Sequence, residues 1–250
     1  MEKDDLYFIN HLKDLKKRSD ERGIIIYTEF LGLSEQNLLY SHASDIGINE
    51  PVLFGGFDFS ERKLCVFDGS QGYMDVKYPI VVLRITPLSG KFTESLTHRD
   101  FLGSLMGLGI KRETLGDIYL NESTAYLICL DSISDFIKEN LISVKHTRVN
   151  VTESDFNIDY QPEITEIQKS VSSLRIDAII SAAVNTSRGT AQELIASKKV
   201  FINGREIMKD SREVNEGDII TVRGTGRFRF KSVDNVSRKG RTIITIVKYN

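Results

Sequence analysis

The run Val200-Phe201-Ile202-Asn203-Gly204-Arg205-Glu206-Ile207 leaves this chain less freedom than any other stretch. Two short apolar segments flank an Asn-Gly pair, which suits a tight turn whose central residues both take positive φ, so a β-hairpin is expected. Ahead of it, Leu174 to Ile180 carries apolar residues at helical spacing and breaks at Asn185-Thr186. A second helix is expected from Ser187, a good N-cap, with Gln192-Glu193 in its first turns. Ala191, Leu194 and Ile195 give it a core face, and Lys198-Lys199 put positive charge at the negative end of its dipole. Beyond the hairpin, Gly217-Asp218 marks a turn and Ile219 to Gly224 a strand. The stretch 174–230 therefore reads as two small helices followed by short strands.

Charge separates this stretch from the rest. From Leu174 to Asn250 there are 15 Lys and Arg against 8 Asp and Glu, a net +7 in a chain whose total is −2. An acidic body with a basic C-terminal part is the asymmetry expected when one part seeks a polyanion, although a merely solvated basic surface has the same composition. Arg175 and Arg188 head the two helices, Lys198, Lys199 and Arg205 lie at the helix–hairpin junction, and Arg223, Arg227 and Arg229 flank the turn Gly224-Thr225-Gly226. Guanidinium forks and the N–H groups of a helix start both suit phosphate, so these residues are expected to share one cationic face.

At 250 residues the chain suits two or three small domains, and the expected class is α+β. It lacks an apolar run long enough to span a bilayer, and its charged N-terminus has no signal-peptide core, which points to the cytoplasm. Cys65 and Cys129 stand in strand-like contexts and are expected as buried thiols. Residues 1–75 read as a small α/β unit. It comprises an amphipathic helix from about Asp4 to Glu21, an extended Ile24 to Tyr27, a short helix after Ser34, and strands at Val52-Phe54 and Lys63-Phe67.

Residues 76–152 read as strand (Pro79–Ile85), helix with a Thr97/Asp100 capping box, a hairpin of strands (Leu115–Leu120, Thr124–Leu130), helix (Ile133–Leu141) and a last β-rich run. That order belongs to the split βαβ, the ferredoxin-like plait shared by RNA-recognition motifs. The stacking aromatics of those motifs are missing, leaving His98, Arg99, Lys111 and Arg112 as candidates for RNA contact or as ordinary solvated helix ends. Residues 153–170, with Glu153, Asp155, Asp159, Glu163 and Glu166 around Pro162, read as an acidic linker, and 171–250 as the basic domain. Ser237 to Arg241 reads as a basic turn before a last strand, Thr242 to Tyr249.

The residues Arg175-Ile176-Asp177, Ser187-Arg188, Ala191, Leu194-Ile195, Val200, Ile202-Asn203-Gly204 and Gly217-Asp218-Ile219 resemble the RNA-binding module of ribosomal small-subunit protein S4, here the S-four domain. The resemblance implies one RNA-contacting face holding Arg175, Ser187, Arg188, Thr190, Lys198, Lys199 and Asn203. The plain structural alternative is that Asp177 simply holds Arg175 in place and Asn203-Gly204 serves only the turn. Over nearly the whole chain, Phe30-Leu31, Glu35-Gln36, Gly55-Gly56, Glu61-Arg62, His98 to Gly103, Gly109 to Arg112, Gly116-Asp117-Ile118 and Arg223 to Arg227 resemble the bacterial YlmH family. Thr225 departs from its relatives, which often carry an aromatic there.

That resemblance implies a factor that binds ribosomal RNA and tRNA on the freed large ribosomal subunit with peptidyl-tRNA. It would assist an alanine-tailing partner in quality control of stalled translation, with RNA rather than DNA or membrane as its target. A cell-division adaptor working through protein contacts is the alternative, and an RNA-modifying enzyme the more distant one. No catalytic residue is assigned. Arg175-Ile176-Asp177 matches the catalytic triplet of pseudouridine synthases only superficially, because it lies inside the module's own first helix, and the signatures of tyrosyl-tRNA synthetases are absent. The sequence has no glycine-rich dinucleotide loop, and its four histidines and two cysteines lack metal-ligand spacing, so no cofactor or metal is expected.

Overall fold

The computed structural model describes all residues except 1, 2, 90, 92, 93, 159, 161–163, 237–239 and 250. The chain is mixed α/β and divides into two compact units, Met1–Tyr160 and Gln161–Asn250.

The first unit opens with α1 (Lys3–Arg22), which buries Ile9, Leu12 and Leu15 on one stripe, as its periodicity requires. Then follow β1 (Ile25–Tyr27), α2 (Leu33–Ser41), α3 (Ala43–Ile46), β2 (Val52–Phe54) and β3 (Leu64–Asp68), the strands forming an antiparallel sheet in the order β1-β3-β2. Next come β4 (Ile80–Pro87), α4 (His98–Gly107), β5 (Leu115–Asn121), β6 (Thr124–Leu130), α5 (Asp131–Asn140), β7 (Ser143–Val144) and β8 (Thr147–Ser154). Their sheet runs β5-β6-β4-β8-β7, antiparallel throughout. The first strand of the series thus lies between the third and the last.

This second sheet is buried on both faces. Leu83, Ile85, Leu127 and Cys129 pack with Phe101 and Leu105 of α4 and Ile137 of α5. Ile80, Val82, Tyr126 and Ile128, on the other face by alternation, pack with Phe30 and Leu64 and with the rings of Phe54, Phe57, Phe59 and Tyr78. Phe30, Phe54, Phe57, Phe59 and Leu64 therefore cover the second face of this sheet. That face is a packed core, so its side chains are not open to stack on a base. Contact is close enough that a Cβ on Gly116 would meet the Phe30 ring at 3.0 Å.

The second unit consists of β9 (Ile164–Val171), α6 (Ile176–Ala183), α7 (Arg188–Ala196), β10 (Val200–Ile202), β11 (Arg205–Glu206), β12 (Ile219–Val222), β13 (Gly226–Val236) and β14 (Thr242–Tyr249). Its antiparallel sheet runs β11-β10-β12-β13-β14-β9. The expected hairpin is present, with Asn203 at φ 48° and Gly204 at φ 77°. The expected linker 153–170 is corrected: 153–154 end β8, and Ile164–Val171 is a full edge strand registered on β14. Ile167 and Val171, four residues apart on one face, meet the core, an alternation hidden beneath the acidic composition. Asp159, Pro162 and Glu163 lie outside the described residues, as do Ser237, Arg238 and Lys239 of the expected basic turn.

Candidate nucleic-acid interface

Helix α6 starts at Ile176, whose N–H donates to the Arg212 carbonyl at 2.8 Å, so the loop before β12 holds the helix start in place. α7 starts after Ser187, whose Oγ accepts from the Thr190 N–H at 3.0 Å and lies 3.0 Å from the Thr190 hydroxyl. The expected cap is thus made, and both hydroxyl residues stay exposed at the helix end.

Between the two helix starts lies Asp177, its side chain only 1% exposed. Arg188 Nη2 donates to both of its carboxylate oxygens at 3.0 Å. Arg175 donates to them through Nε and Nη2, each at 3.2 Å, and Gln192 Nε2 adds a bond at 3.2 Å. Asp177 Oδ1 also accepts from the Ala178 N–H at 2.9 Å. Burial on its own would raise the pKa of Asp177, but the hydrogen bonds and charges of Arg188 and then Arg175 outweigh it and hold the carboxyl below its ordinary value. Arg175 is further braced by Asp210 at 3.4 Å, which also accepts from Gln192 at 2.9 Å. Asp177 therefore locks two guanidiniums side by side at two helix N-termini. Arg188 stays 45% exposed, and its Nη1 makes a long contact of 3.5 Å to Ser172 Oγ. Gln192 and Asp210 were not legible as members of this cluster, because the packing of α6 on α7 brings the first there and the loop before β12 the second.

The remaining candidates do not share this face. Lys198 and Lys199 stand past the far end of α7, about 13 Å along the helix from Arg188, and Lys198 pairs with Glu206 at 3.6 Å. Asn203 is turned inward, its Nδ2 donating to Asp218 at 2.7 Å and its Oδ1 accepting from the Ile219 N–H at 2.9 Å. The side chain ties the hairpin to the next turn, which is the structural one of the two roles open to it. Arg205 sits opposite Ile202, on the helix side of the sheet by register. Arg227 and Arg229 alternate with the buried Phe228 and Phe230, so they project from the face that the helices do not cover, and Arg223 lies over the Phe201 ring on that same face. The alternation Arg227-Phe228-Arg229-Phe230 was available in the sequence to reveal this sidedness. The expected single face is thus corrected to two, one at the helix starts and one on the reverse of the sheet.

In the first unit, Arg99 and Lys111 are exposed, whereas Arg112 is turned into the protein. Arg112 Nη1 donates to the carbonyls of Leu115 at 2.7 Å and Gly116 at 3.1 Å. Burial and then the neighbouring Arg62 charge lower its pKa to about 10. Arg62 itself donates to Phe30 O at 2.5 Å and Leu115 O at 2.9 Å, so the two arginines together hold the junction between the covering layer and β5. His98 is exposed at the start of α4, and partial desolvation of its ring and then the Arg112 charge lower its pKa, which favours a neutral ring at neutral pH. Of this quartet, Arg99 and Lys111 keep the geometry of a contact surface, and Arg112 is reassigned to structure.

Among the described residues there is no cluster of His, Cys, Asp and Glu suited to a metal, and no helix long and apolar enough to cross a membrane. Both cysteines are buried free thiols, pushed by burial up to about 12 and so held unreactive.

By class, then, this is a mixed α/β chain whose C-terminal unit presents paired arginines at two helix starts. Residues 75–158 match the family described as "Putative RNA-binding domain in YlmH", and residues 165–223 match the C-terminal domain of mitochondrial transcription rescue factor 1. "Ribosome-associated protein quality control protein P2" of Bacillus subtilis (strain 168) is 29% identical over 257 residues, covering 97% of this chain and 95% of that protein. "Small ribosomal subunit protein uS4" of Desulfotalea psychrophila is 32% identical over 95 residues, 34% of this chain and 44% of its own length. The solved structure "Cell division protein ylmH from Streptococcus pneumoniae" aligns at a TM-score of 0.49 and 21% identity, covering 62% of this chain and 94% of that one. The likeness to the YlmH family read from the sequence is borne out over residues 75–158, and the similarity to the Bacillus subtilis protein runs nearly end to end.

Proposed function

We propose that the chain is a non-catalytic RNA-binding factor that acts on ribosomal RNA and tRNA in quality control of stalled translation. It would engage the large subunit holding peptidyl-tRNA and cooperate there with an alanine-tailing factor, which makes its workplace the cytoplasm. In finer outline, residues 76–152 act as a ferredoxin-like plait of the RNA-binding type, covered by residues 1–75, and the second unit acts as an S-four domain extended by β9 and β14. The observation that carries this reading is the pairing of Arg175 and Arg188 on the buried Asp177. Two forks fixed at helix N-termini form a preorganised phosphate site, in a region that matches an RNA-related family and in a chain similar throughout to a ribosome-associated quality-control protein.

The test is binding of the purified protein to isolated large subunits and to ribosomal RNA over a salt series. Affinity should fall steeply with salt, since each neutralised phosphate releases counterion. Arg188→Ala should weaken binding and reduce the logarithmic salt slope by about one. A protein that ignores large subunits at low ionic strength would refute the proposal.

A further inference from the structure

The reverse face of the second unit's sheet carries the Phe201 ring among cations. Val200, Ile202, Ile220, Val222 and Phe228 point into the core shared with α6 and α7. The residues between them, Phe201, Thr221 and Arg227, stand in register across three strands on the outward face. The Arg223 N–H donates to the Lys199 carbonyl at 2.9 Å, which continues the same ladder and sets Lys199 and Arg223 opposite each other on this face. The Arg223 guanidinium carbon lies 4.4 Å from the centroid of the Phe201 ring. Phe201 is half-buried, and Lys199, Arg223 and Arg229 are exposed.

We propose that Phe201 and Arg223 form a stacking platform for an unpaired RNA base, with Lys199, Arg227 and Arg229 drawing the adjoining phosphates. A guanidinium laid on a ring is held flat, and its outer side then presents a planar, weakly hydrated cation to which any base can stack. Glu206 stands opposite Phe201 on the same face and pairs with Lys198. Lys199, Arg223, Arg227 and Arg229 leave the surroundings net positive, which suits a nucleic-acid strand. Bases inside a duplex offer no free π-face, so the ligand is a single strand, a loop or a bulged nucleotide. The inference rests on the RNA-binding reading and sharpens it: the helix starts take backbone phosphate, and the sheet takes a base.

The experiment uses the full chain with a single-stranded RNA oligonucleotide carrying 2-aminopurine at its centre, alongside the same strand in a duplex. The single strand should bind with quenched fluorescence, and the duplex should show no quenching. Phe201→Leu keeps apolar bulk and should weaken single-strand binding on the order of tenfold and abolish quenching. Arg223→Lys keeps the charge but loses the plane, and should reduce quenching while touching no core side chain. This variant decides the matter if Phe201→Leu does not fold. Wild-type quenching in Arg223→Lys, or in a folded Phe201→Leu, would overturn the platform. If ribosomal RNA is still bound through Arg188 while the probe is never quenched, the platform alone fails. If neither RNA binds, the RNA-binding reading fails with it.

Discussion

Arg188 and Asp177 are eleven positions apart in the chain, yet one Nη2 of the arginine reaches both carboxylate oxygens at 3.0 Å. The carboxylate is buried and the guanidinium is half in water, so the pair fixes an exposed cation from beneath. Asp177→Asn should therefore loosen both Arg175 and Arg188. Weakening charge-assisted hydrogen bonds whose donors stay half in water costs roughly 1–2 kcal/mol, and urea unfolding should read a loss of that order. The affinity for ribosomal RNA should fall as well, despite the extra unit of positive charge, because the forks lose their preset geometry. A variant of unchanged stability would mean that the carboxylate braces nothing.

Acid should act on the same brace. The folded pKa of Asp177 lies below its ordinary value, and that of Asp100, which accepts from the Thr97 N–H and pairs with Lys145, lies at about 2. For a carboxyl whose pKa is lowered by folding, the stabilisation is complete above the unfolded value of about 4 and is lost as pH falls through the folded one. Stability should thus decline between about pH 4 and 2, and Asp177→Asn should flatten part of that decline. Urea midpoints measured across this window check it.

Arg99 and Arg112 provide a separation of roles in the first unit. Arg112 holds the Leu115 and Gly116 carbonyls, so Arg112→Ala should lower stability by roughly 1–3 kcal/mol, the cost of leaving partly buried acceptors unpaired. Arg99 is exposed at the start of α4, and Arg99→Ala should leave the melting temperature nearly unchanged while weakening RNA binding. The opposite pattern, with stable Arg112→Ala losing RNA, would return Arg112 to the contact surface.

What the sequence made legible is what local chemistry decides. Ser187 before Arg188, Thr97 with Asp100, and Asn203-Gly204 each specify a cap or a turn within four residues, and each is found in place. What stayed hidden depends on distant packing. Phe30, Phe57 and Phe59 come from loops with no periodicity, so nothing local shows that they cover the second face of the five-stranded sheet. Asp177 could be suspected of bracing Arg175 two residues away, but its bond to Arg188 exists only because α6 and α7 pack together. Asn203 combines both cases: its type predicts the turn, while its bonds to Asp218 and Ile219 become visible only when the next strand is laid beside it.

Lys198 gives the last prediction. It sits just past α7 at φ 57°, in the left-handed region. Its N–H donates to the Ile195 carbonyl at 3.0 Å and that of Lys199 to the Leu194 carbonyl at 3.1 Å. These are the two bonds of a Schellman cap, whose left-handed position is usually glycine. A side chain there costs roughly 1–2 kcal/mol, and the exposed pair with Glu206 returns little of it. Lys198→Gly should therefore raise stability, by up to about 1 kcal/mol once glycine's greater unfolded entropy is deducted. If the lysine is kept for its charge, the same variant should bind ribosomal RNA more weakly with a shallower salt slope. Higher stability with undiminished binding would remove Lys198 from the contact set while leaving the Arg175–Arg188 pair untouched.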